Sequence, residues 1–149
     1  MGDNENYARI LVEHAVGLCV ECGKCVTVCP MAEMYPDFGW AISPRGMVQQ
    51  ALRGDALLSG QGLWRCTQCE ACSKTCPAGV DCCGLVAALR PLARDRDGAA
   101  TTGLCAECGA DLPPAPVLEY LRKALPQAPL EYLSLCPSCR RRRYVRNNS

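Results

Sequence analysis

"CVECGKCVTVCP", residues 19–30, sets four cysteines within eleven positions and ends on a proline. A second stretch, "CTQCEACSKTCP" at 66–77, repeats the spacing C-x2-C-x2-C-x3-C-P, with every cysteine offset by 47 residues. Outside the cysteines and the proline the two stretches share no identical residue, so what repeats is a ligand geometry.

That spacing is the bacterial-type run for a cubane iron–sulfur cluster. Thiols at i, i+3 and i+6 on a tight coil can converge on three corners of one cubane, and the following proline turns the chain away after the fourth. In two-cluster ferredoxins the fourth thiolate ligates the other cluster. Applied here, cluster one takes Cys19, Cys22, Cys25 and Cys76, and cluster two takes Cys66, Cys69, Cys72 and Cys29. The competing readings are structural zinc and disulfides. Zinc favours paired C-x2-C units with a longer gap between the pairs, not four thiols in one run.

Composition narrows the setting. Fourteen cysteines in 149 residues mean either a disulfide scaffold or metal sites. The start "MGDNENYARI" has no basic or apolar leader, and no apolar run approaches the roughly 20 residues needed to span a bilayer. The expectation is a cytoplasmic protein with reduced thiols. With one Phe and two Trp, aromatic burial cannot carry the fold, so metal ligation is expected to supply much of the stability and the apo chain to be largely unfolded. Formal charge is +1, yet Arg140–Arg143 and Arg146 all fall in the last ten residues. Without them the chain has 11 basic against 15 acidic groups, an acidic body with a basic tail.

Around the motifs the pattern is helical. Tyr7, Ile10, Leu11, Ala15 and Leu18 share one helical face, with Asp3 or Asn4 as a cap. In "SPRGMVQQALRG", Ser43 is an N-cap, Pro44 takes the first helical position and Gly54 marks a stop. Asp81 caps a third segment through Leu85, Val86, Leu89 and Ala93, which Pro91 should kink or end. No alternating strand pattern occurs in the first 97 residues, so the fold class is mainly α: a helical dicluster ferredoxin domain over 1–97 and a small lobe over 98–149.

"CVECGKCVTVCP", "ISPRGMVQQALRGD" and "LWRCTQCEACSKTCPAGVD" together resemble the C-type iron–sulfur subunit of heterodisulfide reductase, over roughly residues 5–97. Its α-helical ferredoxin fold is also found in the iron–sulfur subunits of succinate dehydrogenase and fumarate reductase. The resemblance implies two [4Fe-4S] clusters, no substrate pocket, and electron transfer between a flavin-bearing subunit of the A type and a catalytic subunit of the B type. It therefore implies a non-catalytic member of an oxidoreductase complex. The same wire in a methylenetetrahydrofolate reductase, formate dehydrogenase or hydrogenase assembly is the alternative. No plant-type ferredoxin domain fits before Cys19, and cysteine-rich catalytic repeats are not seen.

"CCG" at 82–84 is the signature of repeats that hold unusual clusters in the B-type catalytic subunit, but the spacing from Cys82 and Cys83 to the next C-x2-C is too short. Buried cysteines on a packed helix are the simpler reading. His14, the sole histidine, reads as a packing or interface residue. Trp40 and Trp64 read as core, while Lys24 and Lys74 lie inside the cluster loops, where a cation could raise a cluster potential.

"RDRDGAATTG" at 94–103 reads as a linker. Beyond it, "CAEC" (Cys105, Cys108) and "CPSC" (Cys136, Cys139) are separated by 27 residues, a zinc-ribbon pattern. A helix inserted at "PVLEYLRKAL", periodic at Val117, Leu118, Leu121 and Leu125, would fill the gap. Zinc is the favoured ion, and rubredoxin-type iron takes the same four thiols. A zinc ribbon followed by "RRRRYVRNNS" raises the further alternative of an adaptor for protein or nucleic acid. The acidic body argues against nucleic acid and for a docking arm or a merely solvated tail.

Overall fold

A computed structural model describes residues 2–97 and 102–145, and the chain divides into two compact units, 1–99 and 100–149. The first unit is helical: α1 (Gly2–Glu13), α2 (Lys24–Thr27), α3 (Met31–Met34), α4 (Pro44–Leu52), α5 (Gly62–Arg65), α6 (Ala71–Thr75) and α7 (Cys82–Asp97). Short 3-10 turns at Val16–Leu18, Trp40–Ile42 and Asp55–Ser59 join them. No strand occurs among the described residues of this unit.

Local chemistry accounts for the two longer inner helices. Ser43 Oγ accepts the Gly46 N–H at 3.1 Å and Pro44 occupies the first turn of α4. Asp81 Oδ1 accepts the Gly84 N–H at 2.9 Å at the start of α7. A Cβ on Gly46 would run into the backbone oxygen of Trp40, so glycine there lets the 3-10 turn lie directly on α4. The main core gathers Tyr7 and Ile10 from α1, Met47, Val48 and Ala51 from α4, and Leu85, Val86, Leu89 and Ala93 from α7. The Tyr7 hydroxyl reaches the carbonyls of Ala51 (3.0 Å) and Gly54 (2.7 Å), fixing α1 to the end of α4.

Several sequence expectations are corrected. Asp3 and Asn4 lie inside α1, which already runs at Gly2. That helix stops at Glu13 because Ala15 turns left-handed (φ 52°) where the Asp81 N–H bonds the His14 carbonyl at 3.0 Å. Leu18 consequently leaves the apolar face and is 62% exposed. Pro91 does not end α7: it sits on the exposed face, while Leu89 and Ala93 on the opposite side are fully buried and hold the helix through it. Residues 94–97 of the expected linker are helical, 102 and 103 belong to a strand, and 98–101 lie outside the described residues. Trp40 is 49% exposed, with the Arg53 guanidinium 5.6 Å from its ring, and Trp64 is only partly buried.

The second unit opens with an antiparallel pair, β1 (Thr102–Leu104) and β2 (Asp111–Pro114), with Thr102 opposite Pro114 and Leu104 opposite Asp111. Helices α8 (Ala115–Ala124), α9 (Leu130–Leu133) and α10 (Pro137–Val145) follow. The helix expected between the two cysteine pairs is α8, burying Val117 and Leu118. Arg146 and the rest of the tail lie outside the described residues.

Candidate metal centres

The sequence repeat is also a backbone repeat. Glu21 and Gln68 have the same left-handed φ of 56°, and Gly23 and Glu70 follow at 77° and 65°. Left-handed residues thus flank the second cysteine of each run, curling the coil so that successive thiols turn inward. Alternation of this kind points backbone N–H groups into a concavity that suits an anion. The Gln68 N–H lies 3.4 Å from Cys66 Sγ, and the Val80 N–H lies 3.4 Å from Cys76 Sγ. After the coils, α2 and α6 pack against each other, bringing two segments 47 residues apart into one site.

Cys19, Cys22, Cys25, Cys72, Cys76 and Cys82 line one recess. It holds all four thiols of the first expected set, including Cys76 from the second run. Cys29 interacts electrostatically with Cys72, Cys69 and Cys25, and Cys29 and Cys66 both pack on the small core of Met31, Tyr35 and Ile42. Burial raises the Cys25, Cys29 and Cys66 thiols above the ordinary value, Cys66 to about 11. A hydrogen bond from Cys82 instead lowers Cys72 to about 7. Several thiolates in so dry a space need a compensating cation, and an all-sulfur donor set selects zinc or iron–sulfur chemistry. Arg45 adds an independent sign of fit: its Nε–H is buried without a partner, and the residue lines the recess beside Cys19 and Cys25. A sulfur-rich anionic group is what that donor lacks.

Sequence reading missed Arg90. From α7 its guanidinium donates to the carbonyls of Leu63 (2.8 Å) and Cys66 (2.7 Å) and to Gln68 Oε1 (2.8 Å), and it lies 6.0 Å from the Trp64 ring. It clamps the second coil, and the only sequence signal is a basic residue on the inner face of a helix. Lys74 is engaged by Glu70 at 2.9 Å, so its charge is shared with a carboxylate. His14 Nδ1 lies 3.3 Å from Asp81 Oδ2, and Ser73 Oγ donates to Asp81 Oδ1 at 2.7 Å. The histidine is therefore part of a junction joining α1, α6 and α7. The Gly84 N–H, Ser73 and His14 together hold the Asp81 carboxyl below the usual range. Cys82 is 3% exposed and Cys83 is half-buried.

In the second unit the sulfur atoms of Cys105, Cys108, Cys136 and Cys139 all lie within 4.8 Å of one another, a spacing suited to one tetrahedral ion. Cys105 sits in the turn between β1 and β2, where its N–H bonds the Ala110 carbonyl at 2.8 Å. Cys136 and Cys139 open α10. The Cys136 N–H donates to Cys105 Sγ at 3.2 Å and lowers that thiol, whereas burial raises Cys139. Arg142 donates to Cys139 Sγ at 2.9 Å, and Arg140 donates to the Leu135 carbonyl at 2.8 Å while stacking 4.8 Å from the Tyr132 ring. Arg143 reaches Glu107 and Glu131 at 3.7 and 3.5 Å. Three arginines of the expected docking arm, Arg140, Arg142 and Arg143, are thus engaged within their own unit.

Comparison with known proteins bears on the first unit. Residues 15–80 match the 4Fe-4S dicluster domain. The C2 subunit of the H2/formate:CoB-CoM heterodisulfide, ferredoxin reductase of Methanococcus maripaludis is 32% identical over 79 residues, covering 52% of this chain and 40% of its own length. The C-type subunit of the ferredoxin:CoB-CoM heterodisulfide reductase of Methanosarcina acetivorans is 33% identical over 76 residues, 50% of this chain and 29% of its own. The fumarate reductase iron–sulfur subunit of Mycobacterium tuberculosis is 33% identical over 78 residues, 46% of this chain and 32% of its own. The chain spans less than half the length of each of these relatives. The first unit is accordingly mainly helical, with residues 15–80 similar to the 4Fe-4S dicluster domain and to the C-type subunits of heterodisulfide reductase, and a four-cysteine unit follows. No helix among the described residues is long and apolar enough to cross a membrane.

Proposed function

We propose that the chain is a cytoplasmic electron-transfer subunit of a heterodisulfide-reductase-like complex, without catalysis of its own. Cys19, Cys22, Cys25 and Cys76 hold one [4Fe-4S] cluster, and Cys66, Cys69, Cys72 and Cys29 hold the other. Cys105, Cys108, Cys136 and Cys139 hold zinc, and 1–97 and 98–149 act as separate domains. What carries the reading is the recess that Cys76, from the second run, shares with Cys19, Cys22 and Cys25 of the first.

The cubanes supply single-electron transfer. The chain's own residues fix the thiols on two matched left-handed coils, donate N–H groups to sulfur, and exclude water through the core of α4 and α7. Cys22 and Cys69 are exposed on the two coils, leaving each site an edge toward a partner. The expected partners are a flavin-bearing subunit of the A type and a catalytic subunit of the B type. The fumarate reductase match favours, as second reading, the same wire in another multi-subunit oxidoreductase. Engagement of Arg140 and Arg142 within their own unit argues against a nucleic-acid adaptor.

Metal analysis is the first test: about eight iron and eight sulfide per chain with about one zinc are expected, and zinc alone overturns the reading. Cys29→Ser should disturb the cluster of Cys66, Cys69 and Cys72 and spare the other, as read by electron paramagnetic resonance. The protein composition of the complex purified from its host then decides between the two readings.

A further inference from the structure

The two coils are held by the same device. Glu21 and Gln68 occupy matching positions of the repeat, each between the first and second cysteine of its run, with the same left-handed φ of 56°. Each is gripped by an arginine from a longer helix. Arg45, in the first turn of α4, reaches Glu21 Oε2 at 2.9 Å. Arg90, on α7, donates to Gln68 Oε1 at 2.8 Å.

The device differs by one charge. Arg45 meets a carboxylate, so that pair is neutral as a whole. Arg90 meets an amide, and its other acceptors are the carbonyls of Leu63 and Cys66, at 2.8 and 2.7 Å. An arginine keeps its proton in a protein, so a whole positive charge stays on the second coil. That charge is partly buried against the Trp64 ring, and Trp64 and Cys66 pack on the main core, so water screens it less than it would at the surface. Other charges near the runs are offset. Arg65 pairs with Asp37 at 2.7 Å and Lys74 with Glu70 at 2.9 Å, while the Asp81 carboxylate is met by the Gly84 N–H, the Ser73 hydroxyl and His14. Lys24, on the first coil, is exposed and therefore screened.

Resting on the two-cluster reading above, we propose that the exchange of a carboxylate for an amide between Glu21 and Gln68 orders the relay. The uncompensated Arg90 charge favours the more negative, reduced form of the cluster held by Cys66, Cys69, Cys72 and Cys29, and raises its potential above that of the other cluster. Net charge is one of the levers that set cluster potentials. Transfer is a one-electron exchange in which the first cluster is oxidised as the second is reduced, and the electron rests at the second.

The test is a redox titration of the full, cluster-loaded chain, followed by electron paramagnetic resonance, for wild type, Gln68→Glu, Glu21→Gln and the double exchange. Cys29→Ser marks which signal belongs to the second cluster. A wild type without two clusters would end the two-cluster reading, and this proposal with it. With two clusters present, the remaining outcomes decide the ordering alone. The higher wild-type midpoint should belong to the second cluster. Gln68→Glu, which gives Arg90 a carboxylate of the same shape, should lower that midpoint and move the first much less. Glu21→Gln should raise the first midpoint, and the double exchange should close or reverse the gap, with iron and sulfide unchanged throughout. Unmoved midpoints, equal shifts at both clusters, or a higher wild-type midpoint at the first cluster would each overturn the ordering. So would loss of iron from either single variant, which would make these side chains supports for the coils and not carriers of a charge difference.

Discussion

The two units use cysteine in opposite ways. Fifteen buried residues form the main core of the first unit and one of them, Cys82, is a cysteine. Among the described residues, the main buried cluster of the second has six members, of which Cys105, Cys136 and Cys139 are three. In the first unit, thiols line the margin of a hydrocarbon core that α1, α4 and α7 build together with Val16, Leu57, Leu58, Leu63 and Val80. In the second, the metal site is the core, with Leu112, Leu118 and Leu135 packed onto sulfur. The expectation of a largely unfolded apo chain therefore separates into two expectations, severe for the C-terminal unit and milder for the helical one.

Metal removal gives the largest contrast. Stripping the C-terminal site with a zinc chelator should cost that unit on the order of 10 kcal/mol, the scale of structural zinc binding, and unfold it. Limited proteolysis should then cut within 102–145 and spare 2–97. Protection of 102–145 after complete metal loss would break the comparison.

Core truncation is the next largest effect. Leu89→Ala, at a fully buried site in α7, should cost about 3 kcal/mol in the first unit, seen as a lower unfolding midpoint, while the C-terminal metal is retained. Leu135→Ala should instead accelerate metal release from the second unit, because Leu135 packs with the cysteines. Equal metal retention in the two variants would show that the second core does not depend on its apolar half.

Asp81 offers a smaller, pH-coded test. Asp81→Ala removes the acceptor at the start of α7 and should cost about 1 kcal/mol near neutral pH. The folded carboxyl is held below its unfolded value of about 3.9, so its stabilisation is full above that pH and is lost as pH falls through the lower folded value. The gap between wild type and variant, measured by urea unfolding, should be constant from about pH 8 to about pH 6 and close only in acid. A gap that widens in acid would contradict the sign.

The smallest effect concerns the coils. Gly23 is left-handed at no steric cost, while Glu70, at the matching position, is left-handed with a side chain. Glu70→Gly should leave stability within about 0.5 kcal/mol of wild type, because relief of the strained φ is offset by glycine entropy and loss of the Lys74 pair. A large loss in thermal unfolding would mean that the Glu70–Lys74 pair organises the second coil.

Much of this is legible in the sequence where chemistry is local. The repeated cysteine run, Ser43 with Pro44, and Asp81 each signal through neighbours a few residues away, and the structure places helix starts where those signals lie. Pro91 misleads because a proline's effect depends on the face it occupies, which only packing of Leu89 and Ala93 decides. Ala15 and Leu18 mislead because the end of α1 is set by a backbone bond between His14 and Asp81, 67 residues apart. The partners of Arg90 and Arg142 are invisible for the same reason: they are brought to them by the fold.

The arginine run gives the protein a chromatographic behaviour that its formula does not suggest. Four adjacent guanidiniums would ordinarily grip heparin or a cation exchanger until high ionic strength released them. Here Arg140 is held by a carbonyl and an aromatic face, Arg142 by the Cys139 sulfur, and Arg143 by two longer carboxylate contacts. A polyanion must compete with those partners, so retention should be modest in the metal-loaded protein and should rise once the C-terminal metal is stripped and the arginines are released.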